Sequence, residues 1–171
     1  MILFEKVSFE QFKKDLLRCL SQGEKREELT DEHIKSIYDK IPLPVRSTSG
    51  SAGYDFVTPI SFSLDEMNST VFIPTGIRAI MPENVVLMMY PRSGLGFKTG
   101  MMLANTVGVI DSDYQYAENE GHIMAKFVRG FQDIQVDQFD RVMQGVFLPY
   151  ALTDNDVASG SRSGGLGSTG K

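Results

Sequence analysis

The stretch GVIDSDY, residues 108 to 114, ends an apolar run with two carboxylates and a phenol. Asp111 and Asp113 stand one residue apart and Tyr114 follows, a grouping that either caps a turn or offers a carboxylate to activate a nucleophile. Upstream, PRSGLGFKTG (residues 91 to 100) follows the apolar run NVVLMMY. There Arg92 can present a planar fork to phosphate-type oxygens, Ser93 a hydroxyl, and Gly94 and Gly96 a closely approachable backbone. The alternative is a polar turn whose glycines only supply positive φ. Asp55, after the Gly-Tyr pair of SAGYDF, is either a turn residue or a single carboxylate able to reach magnesium through water. The C-terminal ASGSRSGGLGSTGK reads by composition as a flexible tail. Its glycines could instead turn N–H groups toward an anion, with Arg162, Lys171, Ser168 and Thr169 suited to the same charge. No Gly-Lys-Ser or Gly-Lys-Thr follows a Gly-rich run, so the chain has no Walker sequence.

Bulk properties narrow the field. A length of 171 residues with 42% hydrophobic and 23% charged residues describes one globular domain. The net charge of -5 gives no basic face for nucleic acid, although a few local Arg or Lys residues could hold a nucleotide. Cys19 is the lone cysteine, so no intrachain disulfide or cysteine-rich zinc site can form, and His33 and His122 lie far apart for a histidine metal site. No run approaches the roughly 20 apolar residues of a membrane helix, and the N-terminus lacks a signal-peptide core. A cytoplasmic protein without membrane association is expected.

The elements that would position these residues fall into three segments: helical over 1–41, β-rich over 42–154, and a flexible Gly/Ser-rich arm over 155–171. In SFEQFKKDLLRCL, Ser8 and Gln11 have capping-box spacing, and Phe9, Phe12, Leu16 and Leu20 recur at helical intervals. A second helix starts at Thr30 or Asp31 and puts Ile34, Ile37 and Ile41 on one face. From Pro42 onward, short β-prone runs alternate with Gly, Pro, Asn and Asp, the pattern of a sandwich, jelly roll or barrel. Without a long helical crossover, a parallel doubly wound sheet is disfavoured.

Five segments in order, RSTSGSAGYDF, PRSGLGFKTG, NTVGVIDSDY, DRVMQ and GGLGSTG, resemble the five motifs of the trimeric, all-β dUTP pyrophosphatases (dUTPases). The resemblance runs from about Pro42 to Lys171. It implies an all-β, jelly-roll (β-clip) subunit carrying a short N-terminal helical extension, a homotrimer with active sites shared among its chains, and cleavage of dUTP to dUMP and pyrophosphate with magnesium. By position, Asp111 matches the general base, and Tyr114 the residue packed against deoxyribose that leaves no room for a 2′-hydroxyl. Asn105 and Val109 belong to the hairpin that matches the uracil pocket. Arg92, Ser93, Gly94 and Gln144 match phosphate contacts, and Asp55 a carboxylate linked to the metal-water shell. Arg141 matches a bracing ion pair and Asp113 a supporting or turn residue. Arg162, Leu166, Gly167, Ser168 and Thr169 match the arm that closes over substrate on a neighbouring subunit.

Several departures qualify the resemblance. Leu166 stands where the arm usually has an aromatic, and Arg162 sits one place nearer the Gly-Gly pair. An insertion over 116–120 lies next to the active-site hairpin, read either as a longer turn or as a reshaped subunit or partner surface. The N-terminal helices are an addition, expected to bury Phe9, Phe12 and Leu16 against the outside of the trimer, with a protein-partner role left open. Two rivals share the fold: dCTP deaminase, disfavoured because HIMAKFVRG carries no acid/base glutamate, and a regulatory nucleotide-binding partner.

Overall fold

The computed structural model describes residues 1–20, 29–160, 162 and 164. In order, the elements are β1 (Leu3–Lys6), α1 (Phe9–Leu20), α2 (Asp31–Lys40), β2 (Val45–Arg46), β3 (Tyr54–Val57), β4 (Phe62–Leu64), β5 (Thr70–Pro74), β6 (Ile77–Ile80), β7 (Val85–Pro91), α3 (Ser93–Thr99), β8 (Met102–Leu103), β9 (Gly108–Ile110), a 3-10 turn at Ser112–Tyr116, β10 (Met124–Val128), β11 (Ile134–Val136) and β12 (Arg141–Pro149). Most elements among the described residues are therefore strands, with three α-helices. All strand pairs among the described residues are antiparallel.

The largest sheet has the order β2-β3-β12-β7-β9. Its centre is the continuous apolar run of β7, along which Val85, Leu87 and Met89 are buried while Val86 and Met88 are only partly covered. The paired strand β12 aligns Gly145 with Met89 and Gln144 with Tyr90, and on its other side Gln144 with Asp55 of β3. A smaller sheet orders β5-β10-β8, and two-stranded pairs join β4 to β11 and β1 to β6.

The two expected helices are present. Thr30 caps α2 by accepting the His33 N–H at 3.2 Å, and Ile34, Ile37 and Ile41 are buried. Ser8 accepts the Gln11 N–H at 3.1 Å at the head of α1. The reciprocal half of the expected capping box does not form, because the Gln11 side chain turns inward and donates to Asp15 Oδ2 at 2.7 Å. Five elements were not read from the sequence: β8, β11, the 3-10 turn, β1 and α3. Leu3–Lys6 forms a strand on β6, and Phe4 there packs its ring at 5.3 Å from both Tyr54 and Phe56 and at 5.2 Å from Phe147. PRSGLGFKTG is not a plain turn; it contains α3, closed by Gly100 at φ 74.

One hydrophobic cluster runs from Phe12, Leu16, Ile34 and Ile37 of the helices to Phe56, Leu64, Ile73, Leu87, Phe127 and Met143 of the sheets. The N-terminal segment thus shares the chain's own core, and Phe12 and Leu16 are buried as expected while Phe9 is half-buried. Among the described residues, no helix is long and apolar enough to cross a membrane.

Candidate active site

The antiparallel ladder fixes where the candidate residues stand. β9 pairs with β7 so that Met89 faces Gly108, Met88 faces Val109 and Leu87 faces Ile110. Asp111, next in sequence, therefore leaves the sheet beside Val86. Arg92 lies beyond the opposite end of the same strand, six positions along. At the rise of a strand this separates the two by roughly 20 Å.

At the Arg92 end, β12 gathers a second group. Gln144 lies across from Asp55, and Gly53 leaves room for its amide, since a Cβ at that position would come within 2.5 Å of Gln144 Oε1. Arg141 Nη1 donates to Asp55 Oδ2 at 3.0 Å, and Ser47 Oγ donates to the same oxygen at 2.8 Å. Arg92 precedes α3, with Ser93 and Gly94 in the helix's first turn, where N–H groups have no partner inside a helix. No heavy atom lies within 4 Å of a Cβ built on Gly94, so its backbone is open to approach. Asp55, Arg92, Ser93, Gly94 and Gln144 thus lie toward the same end of the sheet. One carboxylate already paired with an arginine is a poor cage for a metal, and the described residues hold no cluster of three His, Cys, Asp or Glu side chains that could bind one. Such a donor set would suit magnesium only where most of its oxygens came from phosphates and water.

The other end carries the hairpin. Leu103 and Thr106 close its tip, with Thr106 N–H donating to Leu103 O at 2.9 Å and Thr106 held at φ 63, which is unusual for a β-branched residue. A recess of about 180 Å³ opens beside it, walled by Asn105, Gly108, Val109, Ile110, Met89 and Ala125. The contribution of Met89 and Ala125 was missed from sequence. Met89 was findable from the register, because β7 and β9 must pair for Gly108 to lie against it; Ala125 belongs to another sheet and left no local signal.

Asp111 and Asp113 are exposed, and Arg162 joins them. Its Nη2 lies 2.5 Å from Asp111 Oδ2, its Nε 2.8 Å from Asp113 Oδ1, and its guanidinium 5.6 Å from the centre of the Tyr114 ring. The carboxylate pair is thus a receptor for the arm's arginine in this chain, not a turn cap: Asp111 makes no side-chain capping bond to the turn that follows. Tyr114 is buried, its hydroxyl donating to His122 O at 3.0 Å and accepting from Asn119 Nδ2 at 2.8 Å, and burial pushes its phenol pKa up. Leu166, Gly167, Ser168 and Thr169 lie outside the described residues.

Similarity to known proteins converges on one family. The dUTPase family model matches residues 39–170. A curated relative, the deoxyuridine 5′-triphosphate nucleotidohydrolase of Lactococcus lactis, is 43% identical over 137 residues, covering 76% of this chain and 89% of its own. Among solved structures, the dUTPase of Streptococcus mutans is 38% identical with a TM-score of 0.58, covering 66% of this chain and 89% of that one. A Staphylococcus bacteriophage 80alpha dUTPase mutant with dUpNHpp shares the fold at 18% identity and a TM-score of 0.55, over 71% of this chain and 85% of the phage chain. A motif order, a mostly antiparallel β fold and a relative matched over nearly its whole length agree, and the chain belongs to the dUTPase family.

Proposed function

We propose that this dUTPase-family enzyme hydrolyses dUTP to dUMP and pyrophosphate, at sites assembled between the chains of a homotrimer. The observation that carries the shared site is the span of β7. One chain holds a carboxylate for water at one end of that strand and its phosphate-binding group at the other, roughly 20 Å apart. The two ends meet at one phosphorus only if they come from different copies.

In that arrangement Asp111 accepts a proton from water as its oxygen attacks the α-phosphorus. The bond from that phosphorus to the α,β-bridging oxygen breaks, and pyrophosphate leaves with the bond's electron pair. Arg92, Ser93, Gly94 and Gln144 hold the phosphate oxygens in line, and Arg141 keeps Asp55 oriented toward the metal-water shell. Magnesium, reached through water from Asp55, would supply charge neutralisation to the phosphates. The recess beside Asn105 and Val109 takes uracil, with main-chain groups and the Asn105 amide pairing with the base; cytosine would leave donors and acceptors unpaired, at about 1 to 3 kcal/mol per group. Tyr114 lies against the deoxyribose. Arg162 leaves Asp111 and Asp113 for phosphate oxygens when the arm, with Leu166, Gly167, Ser168 and Thr169, closes over substrate.

The test is pyrophosphate release from dUTP, with dCTP, dTTP and UTP as comparators, on the wild-type protein, on Asp111→Asn and on Arg92→Ala. Turnover confined to dUTP and lost in both variants is expected. Refolding the two inactive variants together should restore part of the activity, since some mixed sites receive an intact Asp111 from one chain and an intact Arg92 from another. No recovery from properly assembled mixtures would remove the shared site.

A further inference from the structure

The N-terminal segment and the 116–120 insertion are both additions to the five-motif pattern, and the fold joins them directly behind Tyr114. The phenol hydroxyl is held by two groups, the His122 carbonyl at 3.0 Å and Asn119 Nδ2 at 2.8 Å. Asn119 lies in the insertion and His122 just after it, and the His122 N–H donates back to Asn119 O at 3.0 Å. The His122 ring is fully buried and fixed at both nitrogens. Nε2 accepts the Gly76 N–H at 2.8 Å, which places the ring proton on Nδ1, and Nδ1 donates to Asp15 Oδ2 at 2.6 Å. Asp15, on α1, is itself buried and accepts a second bond from Gln11 one helical turn earlier. The other side of the loop is tied down as well: Glu120 accepts the Ser8 N–H and hydroxyl, and Arg78 Nη1 donates to Glu120 O at 3.3 Å.

Tyr114, His122 and Asp15 in this chain are buried and hydrogen-bonded, while Asn119 is partly exposed and donates to the phenol with its Oδ1 left without a partner; such a support has a mechanical consequence. A ring that excludes a hydroxyl by contact does so only as far as it cannot yield, and a wall that shifts by about 1 Å readily loses its selectivity. The ring and hydroxyl of Tyr114 take no support from a regular strand hydrogen-bond ladder; the residue sits in the 3-10 turn at Ser112–Tyr116. Its position therefore depends on the groups behind it.

We propose that Asp15, Asn119 and His122 are positioning residues for Tyr114: α1 fixes His122, His122 and Asn119 fix the phenol, and this brace sets how strictly the site excludes a ribose 2′-hydroxyl. The inference rests on the reading that Tyr114 faces the sugar. It gives the helical segment and the insertion a shared role in substrate selection.

The experiment compares kcat and KM for dUTP and UTP on the full-length protein and on Asp15→Ala, Asp15→Asn, Asn119→Ala and Tyr114→Ala. Loss of one supporting hydrogen bond should lower the ratio of kcat/KM for dUTP to that for UTP by about five- to tenfold in Asp15→Ala and Asn119→Ala. Discrimination of dUTP from dCTP should stay unchanged. Asp15→Asn, whose amide oxygen still accepts the His122 Nδ1 proton, should recover most of the ratio. A merely structural role would lower turnover of both substrates by one factor and leave the ratio alone. Should Asp15→Ala not fold, the partly exposed Asn119→Ala decides by itself. An unchanged ratio in the brace variants, with a collapsed ratio in Tyr114→Ala, overturns this inference and leaves the sugar reading intact. An unchanged ratio in Tyr114→Ala overturns the sugar reading and the brace with it.

Discussion

Glu120 accepts both the backbone N–H of Ser8, at 2.7 Å, and the Ser8 hydroxyl, at 2.6 Å, across 112 residues of sequence. The carboxylate does for α1 what the Gln11 side chain would do in a capping box, and its negative charge also lies at the positive end of the helix. Glu120→Ala should lower stability by about 1 kcal/mol, a fall in Tm of about 2 to 4 °C. Glu120→Gln, which keeps one acceptor, should lose less. Thermal melts of the two variants check this, and equal losses would show that the retained amide oxygen contributes nothing and the charge carries the effect.

Asp15 makes stability acid-sensitive. Desolvation pushes its pKa up, but the hydrogen bonds from His122 and Gln11 outweigh it and hold the carboxyl below its ordinary value. A lowered folded-state value means that the carboxylate contributes stability fully above the unfolded value of about 4, and that this contribution fades as pH falls from there through the folded value. Urea midpoints at pH 7, 4 and 3 should therefore converge between wild type and Asp15→Asn as the pH drops. Parallel curves down to pH 3 would show that Asp15 titrates alike in both states.

Gly121 has no substitute. It adopts φ 72, and a Cβ there would lie 2.8 Å from Tyr114 O and 2.9 Å from Gln115 Cα, both backbone atoms that cannot step aside. Gly121→Ala should cost about 1 to 3 kcal/mol in denaturant titration. A loss under 0.5 kcal/mol, on the same scale, would mean that the loop relaxes freely.

Gly53 behaves differently, because the atom it makes room for is the end of a flexible side chain. Gly53→Ala displaces the Gln144 amide from its place across from Asp55. Stability should change by less than about 1 kcal/mol, while KM for dUTP rises several-fold from the misplaced phosphate contact. An unchanged KM would remove Gln144 from the phosphate site.

Cys19 is buried on α1, and desolvation, the largest cause, pushes its thiol up to about 12. Only the thiolate attacks alkylating reagents, so native protein at pH 8 should react at least about a hundredfold more slowly than protein in urea. Fast labelling of the native state would show that α1 opens readily.

The sequence alone determined the elements whose signals are local. The isoleucines of α2, whose spacing burial of one helix face imposes, the continuous apolar run of β7 and the short β-prone runs after Pro42 are local patterns and were readable. It also determined the kinds of groups available at the site, through the ordered motifs that hold Asp55, Arg92, Asp111 and Gln144. The strand at Leu3–Lys6 escaped because four residues carry too little pattern and take their conformation from β6. The helix within PRSGLGFKTG escaped because its glycines argue for a turn. Only the tertiary structure decided that Asp111 and Arg92 leave opposite ends of one strand, that Arg162 reaches Asp111 and Asp113, and that His122 meets Asp15 across 107 residues. Those relations depend on strand register and on contacts between distant segments, and no local pattern encodes the place where two such segments meet.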